Sequence, residues 1–176
     1  VVYLTNGCQL ADFSDAPVHL KKWLQATRNC AGQPEHEIVA ELAPEPGDLV
    51  LNKTTIGAFA STGLDAALRG MGIAEIVVAG VSTNNCVAMT AMEAADRQYG
   101  VVLVDDATSP PEAIQQIRDA GVRVVSVPQA TSPTANTSRR QAFTGRCVPS
   151  RSASPGGGSR TLVTAVRRPG QASAPS

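Results

Sequence analysis

The stretch "AGVSTNNCVAMTAMEAADRQYG", residues 79–100, holds the strongest candidate for chemistry in the chain. An apolar run stops in a polar turn, and Cys86 stands where the following segment turns helical. The first turn of a helix has backbone N–H groups without intrahelical partners, and its dipole favours an anion. A thiol placed there is expected to ionise more readily and to attack an electrophile as the thiolate. The same N–H groups can hold the oxyanion of a tetrahedral intermediate, so one turn can supply nucleophile and charge stabilisation together. Lys53 closes another apolar run, "LVLNK". Its ammonium, if near the sulfur, would favour the thiolate further, and the pair fits acyl transfer through a thioester. Each residue also has a plainer reading: a small buried cysteine, and a lysine solvated at a strand end.

The elements that must position these residues alternate. "VVYLT", "LVLNK", "AEIVVAGV", "VVLVDDA" and "VRVVSV" read as strands, the last at an edge. Between them lie helical patterns. In "PVHLKKWLQAT", Val18, Leu20, Trp23 and Leu24 can share one face. "HEIVAEL" reads as a short strand or a helical turn. Before the next helix, Ser61 or Thr62 can cap, with Asp65 completing a capping box and Gly70 and Gly72 ending it. "CVAMTAMEAADRQY" is a helix with alanines at 88, 91, 94 and 95 toward the sheet and Gly100 after its end, and "PPEAIQQIRDAG" is another. This order predicts an α/β fold with a mainly parallel sheet, built from right-handed crossovers. Ligands then bind at the carboxyl edge of the strands. If the strands ending at Lys53 and before Cys86 are neighbours, about 5 Å apart, both side chains face one cleft.

Composition narrows the alternatives. The 176 residues suit one domain, residues 1–128, followed by a Ser/Pro/Gly/Arg-rich tail, 129–176, expected to be disordered. Net charge is zero, but residues 1–128 carry fifteen acids against eight Lys and Arg, and seven arginines beyond them are unopposed. The tail has one aromatic, Phe143, to stack on bases, so solvation is expected and nucleic-acid binding is the alternative. No run approaches the roughly 18 apolar residues of a membrane span, and no basic-then-apolar leader opens the chain, so a cytoplasmic protein is expected. Cys8, Cys30, Cys86 and Cys147 have no C-x-x-C pairing, and His19 and His36 are isolated. These arguments predict no disulfide, no metal and no cofactor.

Residues 47–109 carry an ordered set of motifs: K-x-x-x-x-x-F from Lys53, T-x-L-x-x-x-L-R from Thr62, G-V-x-T-x-x-C-V from Gly80, and the D-A at 106 and 107. This region resembles the core of the isochorismatase-like cysteine hydrolases, with a three-layer α/β/α, Rossmann-like fold. Residues 1–46 resemble, more weakly, the ureidoacrylate amidohydrolase branch. The resemblance implies Cys86 as nucleophile and Lys53 as the cation of an Asp-Lys-Cys triad. It also implies a cis peptide between Val81 and Ser82, with the N–H groups of Ser82 and Cys86 facing the substrate oxygen. Phe59 would line the pocket, and Asn84 and Asn85 would touch substrate or cap the helix. The implied activity is hydrolysis of a C–N bond in a small amide or ureido compound, without metal or cofactor, in a homo-oligomer.

The family's triad acid closes a first strand of the type D-x-Q-x-D-F, which this chain lacks. Asn6 stands at the corresponding place in "NGCQLADF", and Asp12 and Asp15 read as loop solvation. The chain is therefore expected to be an incomplete domain, with no residue assigned as general base. The alternative function is a catalytically impaired remnant that keeps ligand binding or subunit association.

Overall fold

A computed structural model describes residues 1–109 and 114–126, together with the backbone of 161–167. In chain order the principal elements are β1 (Val2–Asn6), α1 (Val18–Ala26), β2 (Leu49–Lys53), α2 (Leu64–Gly70), β3 (Ile73–Val81), α3 (Ala88–Asp96), β4 (Gly100–Ser109), α4 (Ile114–Asp119), β5 (Arg123–Val125) and β6 (Thr161–Arg167). They build one six-stranded sheet in the order β2-β1-β6-β3-β4-β5. Strands β1 with β2, and β3 with β4 and β5, run parallel, whereas β6 is antiparallel to both neighbours. The fold is a mixed α/β architecture on a mainly parallel sheet.

The apolar runs of the central strands are buried on both faces, as parallel strands require. On one face Val2, Leu4, Ile76, Val78, Val101 and Leu103 share a core with Leu64 and Leu68 of α2, Ala91 and Ala94 of α3, and Ile117 of α4. Leu64 and Leu68 are wholly buried, each contributing about 1.5–3 kcal/mol. Alternate strand residues, Val77, Ala79, Val102 and Val104, form a second core with Ala107. Ala88, Ala91 and Ala94 are buried as the small-residue pattern requires, while Ala95 is exposed.

Several local expectations are corrected. The helical face of α1 narrows to Leu20 and Leu24, which pack with Cys8 and Cys30, while Val18 is 93% exposed and Trp23 40%. Of the two readings left open for "HEIVAEL", the helical turn is the one realised, as a 3-10 turn at Ala40–Leu42. The capping box is not made: Gly63 is the N-cap of α2, Thr62 Oγ1 accepts the Leu64 N–H at 3.1 Å, and Asp65 is drawn instead to Tyr99 and Arg69. Helix α3 ends earlier than Gly100, because Gln98 takes the left-handed turn (φ 68°) and frees Gly100 to begin β4.

The largest correction concerns the tail. Residues 161–167, within the segment read as disordered, form β6 in the middle of the sheet. Thr161 to Gly80 and Val163 to Val2 are among its register pairs. Composition concealed this because the strand is seven residues long and flanked by Ser, Gly, Pro and Arg. Its formation is rewarded only where β1 and β3 each present an open flank of N–H and C=O groups, which a single strand between them satisfies. The rest of the expected tail lies outside the described residues, as does Cys147. No helix among the described residues is long and apolar enough to cross a membrane.

Candidate active site

The parallel strands β1, β2 and β3 bring Asn6, Lys53 and Val81 to the carboxyl edge of the sheet. Lys53 is paired in register with Asn6. The condition of neighbouring strands is not met, since β1 and β6 lie between β2, which ends at Lys53, and β3, which precedes Cys86. The long lysine side chain nevertheless reaches across. Strand β6 begins level with Leu4 and Gly80, two residues short of Asn6 along β1. Above that level the Lys53 Nζ donates to Cys86 Sγ at 3.2 Å and to the carbonyl oxygen of Thr55 at 2.9 Å.

Cys86 lies in a π-helical turn, Thr83–Val87, leading into α3. The N–H groups of Asn85 and Val87 both donate to the Ser82 carbonyl, at 3.1 Å each. The Val81–Ser82 peptide is cis. Both partners of the central contact are buried, Lys53 at 0% and Cys86 at 3% exposure. Burial holds the Lys53 ammonium below the usual lysine range, while the Cys86 sulfur and, behind it, the Glu93 carboxylate act in the opposite sense.

A cavity of about 180 Å³ opens onto Cys86, lined also by Asn6, Leu20, Trp23, Ile56, Ser82 and Asn85. Asn85 thus faces the cavity, whereas Asn84 is exposed and only pairs with Asn85, accepting from its amide at 3.4 Å. Phe59 is not in the described lining. It is turned into the core, with its ring 6.0 Å from that of Tyr99 and the Arg97 guanidinium 4.8 Å from its centroid. Ile56, Leu20 and Trp23 supply the apolar wall instead. Their roles left no signal in the motifs, because two of them come from α1 through a loop of irregular structure.

Asn6 gains a meaning that sequence reasoning gave it only as a stand-in for an acid. It is 4% exposed, lines the cavity, and its Oδ1 has no hydrogen-bond partner among the described residues. A buried polar atom without a partner costs about 1–3 kcal/mol, which a ligand donor would recover. Asp12 and Asp15 serve the loop as expected, accepting from the backbone N–H groups of Ser14, Gln9 and Leu10. His36 Nε2 pairs with Asn52 Oδ1 at 2.8 Å, so it is a half-buried structural residue.

The sequence profile of the isochorismatase domain matches residues 2–129. The chain belongs to the isochorismatase family. Among relatives in this family, the ureidoacrylate amidohydrolase RutB of Variovorax paradoxus is 40% identical over 122 residues, which cover 61% of this chain and 48% of that protein. The chain therefore spans about half the length of the curated relatives it matches. An isochorismatase family protein from Desulfovibrio vulgaris superposes with a TM-score of 0.70 at 32% identity, covering 77% of this chain and 75% of that one. The N-carbamoylsarcosine amidase of Thermoplasma acidophilum superposes at 0.61 with 29% identity, over 72% of this chain and 71% of its own.

Proposed function

We propose that the chain hydrolyses the C–N bond of a small amide or ureido compound through an acyl-thioester on Cys86. The observation that carries this reading is the 3.2 Å contact between Lys53 Nζ and Cys86 Sγ at the wall of a cavity. A buried lysine held below its usual pKa by desolvation gives up and takes back a proton more readily than a solvated one. In the proposed sequence Lys53 takes the thiol proton and Cys86 Sγ attacks the substrate carbonyl carbon, whose oxygen is stabilised by the N–H groups of Ser82 and Cys86. Collapse breaks the C–N bond, and the departing nitrogen receives the proton from Lys53. Water then cleaves the thioester, releasing the acid and restoring the thiol. No metal or cofactor enters this sequence.

A cavity of about 180 Å³ is smaller than a typical drug-sized pocket of roughly 300–1,000 Å³, which favours a compact metabolite. Within it Asn6 Oδ1 is assigned to accept an N–H of the amide or ureido group, and Leu20, Trp23 and Ile56 to pack against the remainder. The relatives named as ureidoacrylate amidohydrolase and N-carbamoylsarcosine amidase support this choice of bond.

The test is ammonia release from a panel of primary amides and ureido acids. Cys86→Ala is expected to abolish it, and Asn6→Leu to raise KM more than it lowers kcat. A Cys86→Ala protein as active as its parent refutes the reading. The described cavity lining contains no carboxylate, which favours a second reading, ligand binding without turnover. Saturable binding with no ammonia at high protein concentration would select it.

A further inference from the structure

The geometry points to Glu93 as a positioning residue: its carboxylate clamps the 54–59 loop that orients Lys53 and walls the cavity. This rests on the proposed role of the Lys53–Cys86 pair. Glu93 lies on α3, seven residues after Cys86, about 10 Å along a helix axis. Helical side chains lean toward the helix N-terminus, so its carboxylate is carried back toward the Cys86 end. There Glu93 Oε2 accepts the backbone N–H of Phe59 at 3.0 Å.

A second observation comes from Gly57. A Cβ built on that glycine would collide with the Cδ and both carboxylate oxygens of Glu93. The loop backbone therefore lies directly on the carboxylate, and only glycine permits the approach. On its other side the loop is held by Ser61, whose Oγ accepts the N–H groups of Thr54 at 3.1 Å and Thr55 at 3.3 Å. What the clamp fixes is functional in position. The loop supplies the Thr55 carbonyl that accepts a hydrogen bond from Lys53 Nζ, and Ile56 of the cavity wall. With Thr55 held, the ammonium is aimed at Cys86; with the loop released, Nζ loses one of its two described anchors.

The Glu93 clamp depends on an acceptor oxygen at the end of a side chain of this length, which Glu93→Gln keeps and Glu93→Ala removes. Glu93→Ala is expected to lower kcat about 10- to 100-fold, the cost of misplacing a reacting group by an ångström, with a smaller change in KM. Glu93→Gln is expected to stay close to the parent. Gly57→Ala should reproduce the Glu93→Ala defect, because the added methyl meets the movable end of Glu93 and pushes it aside without breaking the fold. The double variant should be no worse than the poorer single, since both remove one interaction.

Two measurements accompany the kinetics: the rate at which iodoacetamide alkylates Cys86 at fixed pH, and the thermal midpoint. Alkylation slowed in Glu93→Ala and Gly57→Ala but kept in Glu93→Gln, with midpoints near the parent's, supports the clamp. Because alkylation needs no substrate, it tests the clamp even if the hydrolase reading fails. Unchanged alkylation in Glu93→Ala overturns the inference, as does a Glu93→Gln protein as impaired as Glu93→Ala.

Discussion

Replacing Lys53 by methionine should abolish the proposed hydrolysis and leave the protein as stable as the parent or more so. Lys53 is wholly buried, and its described hydrogen bonds go to the Thr55 carbonyl and Cys86 Sγ. Withdrawing an ammonium from water costs several kcal/mol even after relaxation, and charge-assisted hydrogen bonds return about 1.5–3 kcal/mol each. Methionine has similar length and no charge to desolvate. Its cost is the unpaired Thr55 carbonyl, about 1–3 kcal/mol, and a cysteine can stay neutral, so no charge is stranded. The two hydrogen bonds offset most of that desolvation, so the expected balance at pH 7 lies between about 0 and 2 kcal/mol in favour of methionine, the lower part of what buried ionic groups yield on apolar replacement. At roughly 2–4 °C per kcal/mol for a chain of this size, the midpoint should stay level or rise by up to about 8 °C.

The pH dependence has a definite sign. The folded-state pKa of Lys53 lies below its ordinary 10.5, so between the two values the unfolded chain binds more protons and parental stability rises with pH. The advantage of Lys53→Met is therefore full below the folded pKa, shrinks through that window, and is gone above 10.5. Thermal melts of both proteins at a series of pH values isolate this term, because other titrating groups cancel in the difference. A variant that melts several degrees lower at pH 7, or a difference independent of pH, refutes the reasoning.

Deleting residues 161–176 should destroy cooperative unfolding or drive association, because β6 pairs with three residues of β1 and seven of β3. At about 1 kcal/mol net per hydrogen bond the loss rivals the whole stability of a domain; a truncated chain that is monomeric with the parental midpoint in size-exclusion and melting experiments contradicts the placement of β6. Burial, with Asp15 nearby, pushes the Cys8 thiol up to about 11 from its ordinary 9.0. Cys8 should therefore resist iodoacetamide at pH 8 until the protein is unfolded, as read by peptide mass spectrometry. Its share of stability should fall between pH 9.0 and about 11, where the folded chain holds the extra proton.

The sequence was informative where the determinants are local. Apolar runs of five to nine residues located β1 to β3, and the spacing of Lys53, Thr62, Gly80 and Cys86 carried the family resemblance. Lys53 and Cys86 meet although the strands that lead to them are not neighbours. Strand adjacency did not bring them together. Two intervening strands and a long side chain did, and strand order is a property of long-range pairing that no window of sequence contains. Gly100 and Asp65 show the same limit on a smaller scale: each had the right residue type for a cap, and each was claimed by a tertiary partner or a neighbouring turn.

What the sequence by itself determined was the alternation of strands and helices, the burial of the central runs and the residue types available for acyl transfer. These depend on periodicity and on side-chain chemistry, which are written along the chain. Only the tertiary structure decided that β6 stands inside the sheet, that Asn6 presents an unpaired oxygen to a cavity beside Cys86, and that Glu93 lies under Gly57. Each of these joins residues 36 to more than 150 positions apart, and their energies arise only when distant backbone and side-chain groups lose water to one another.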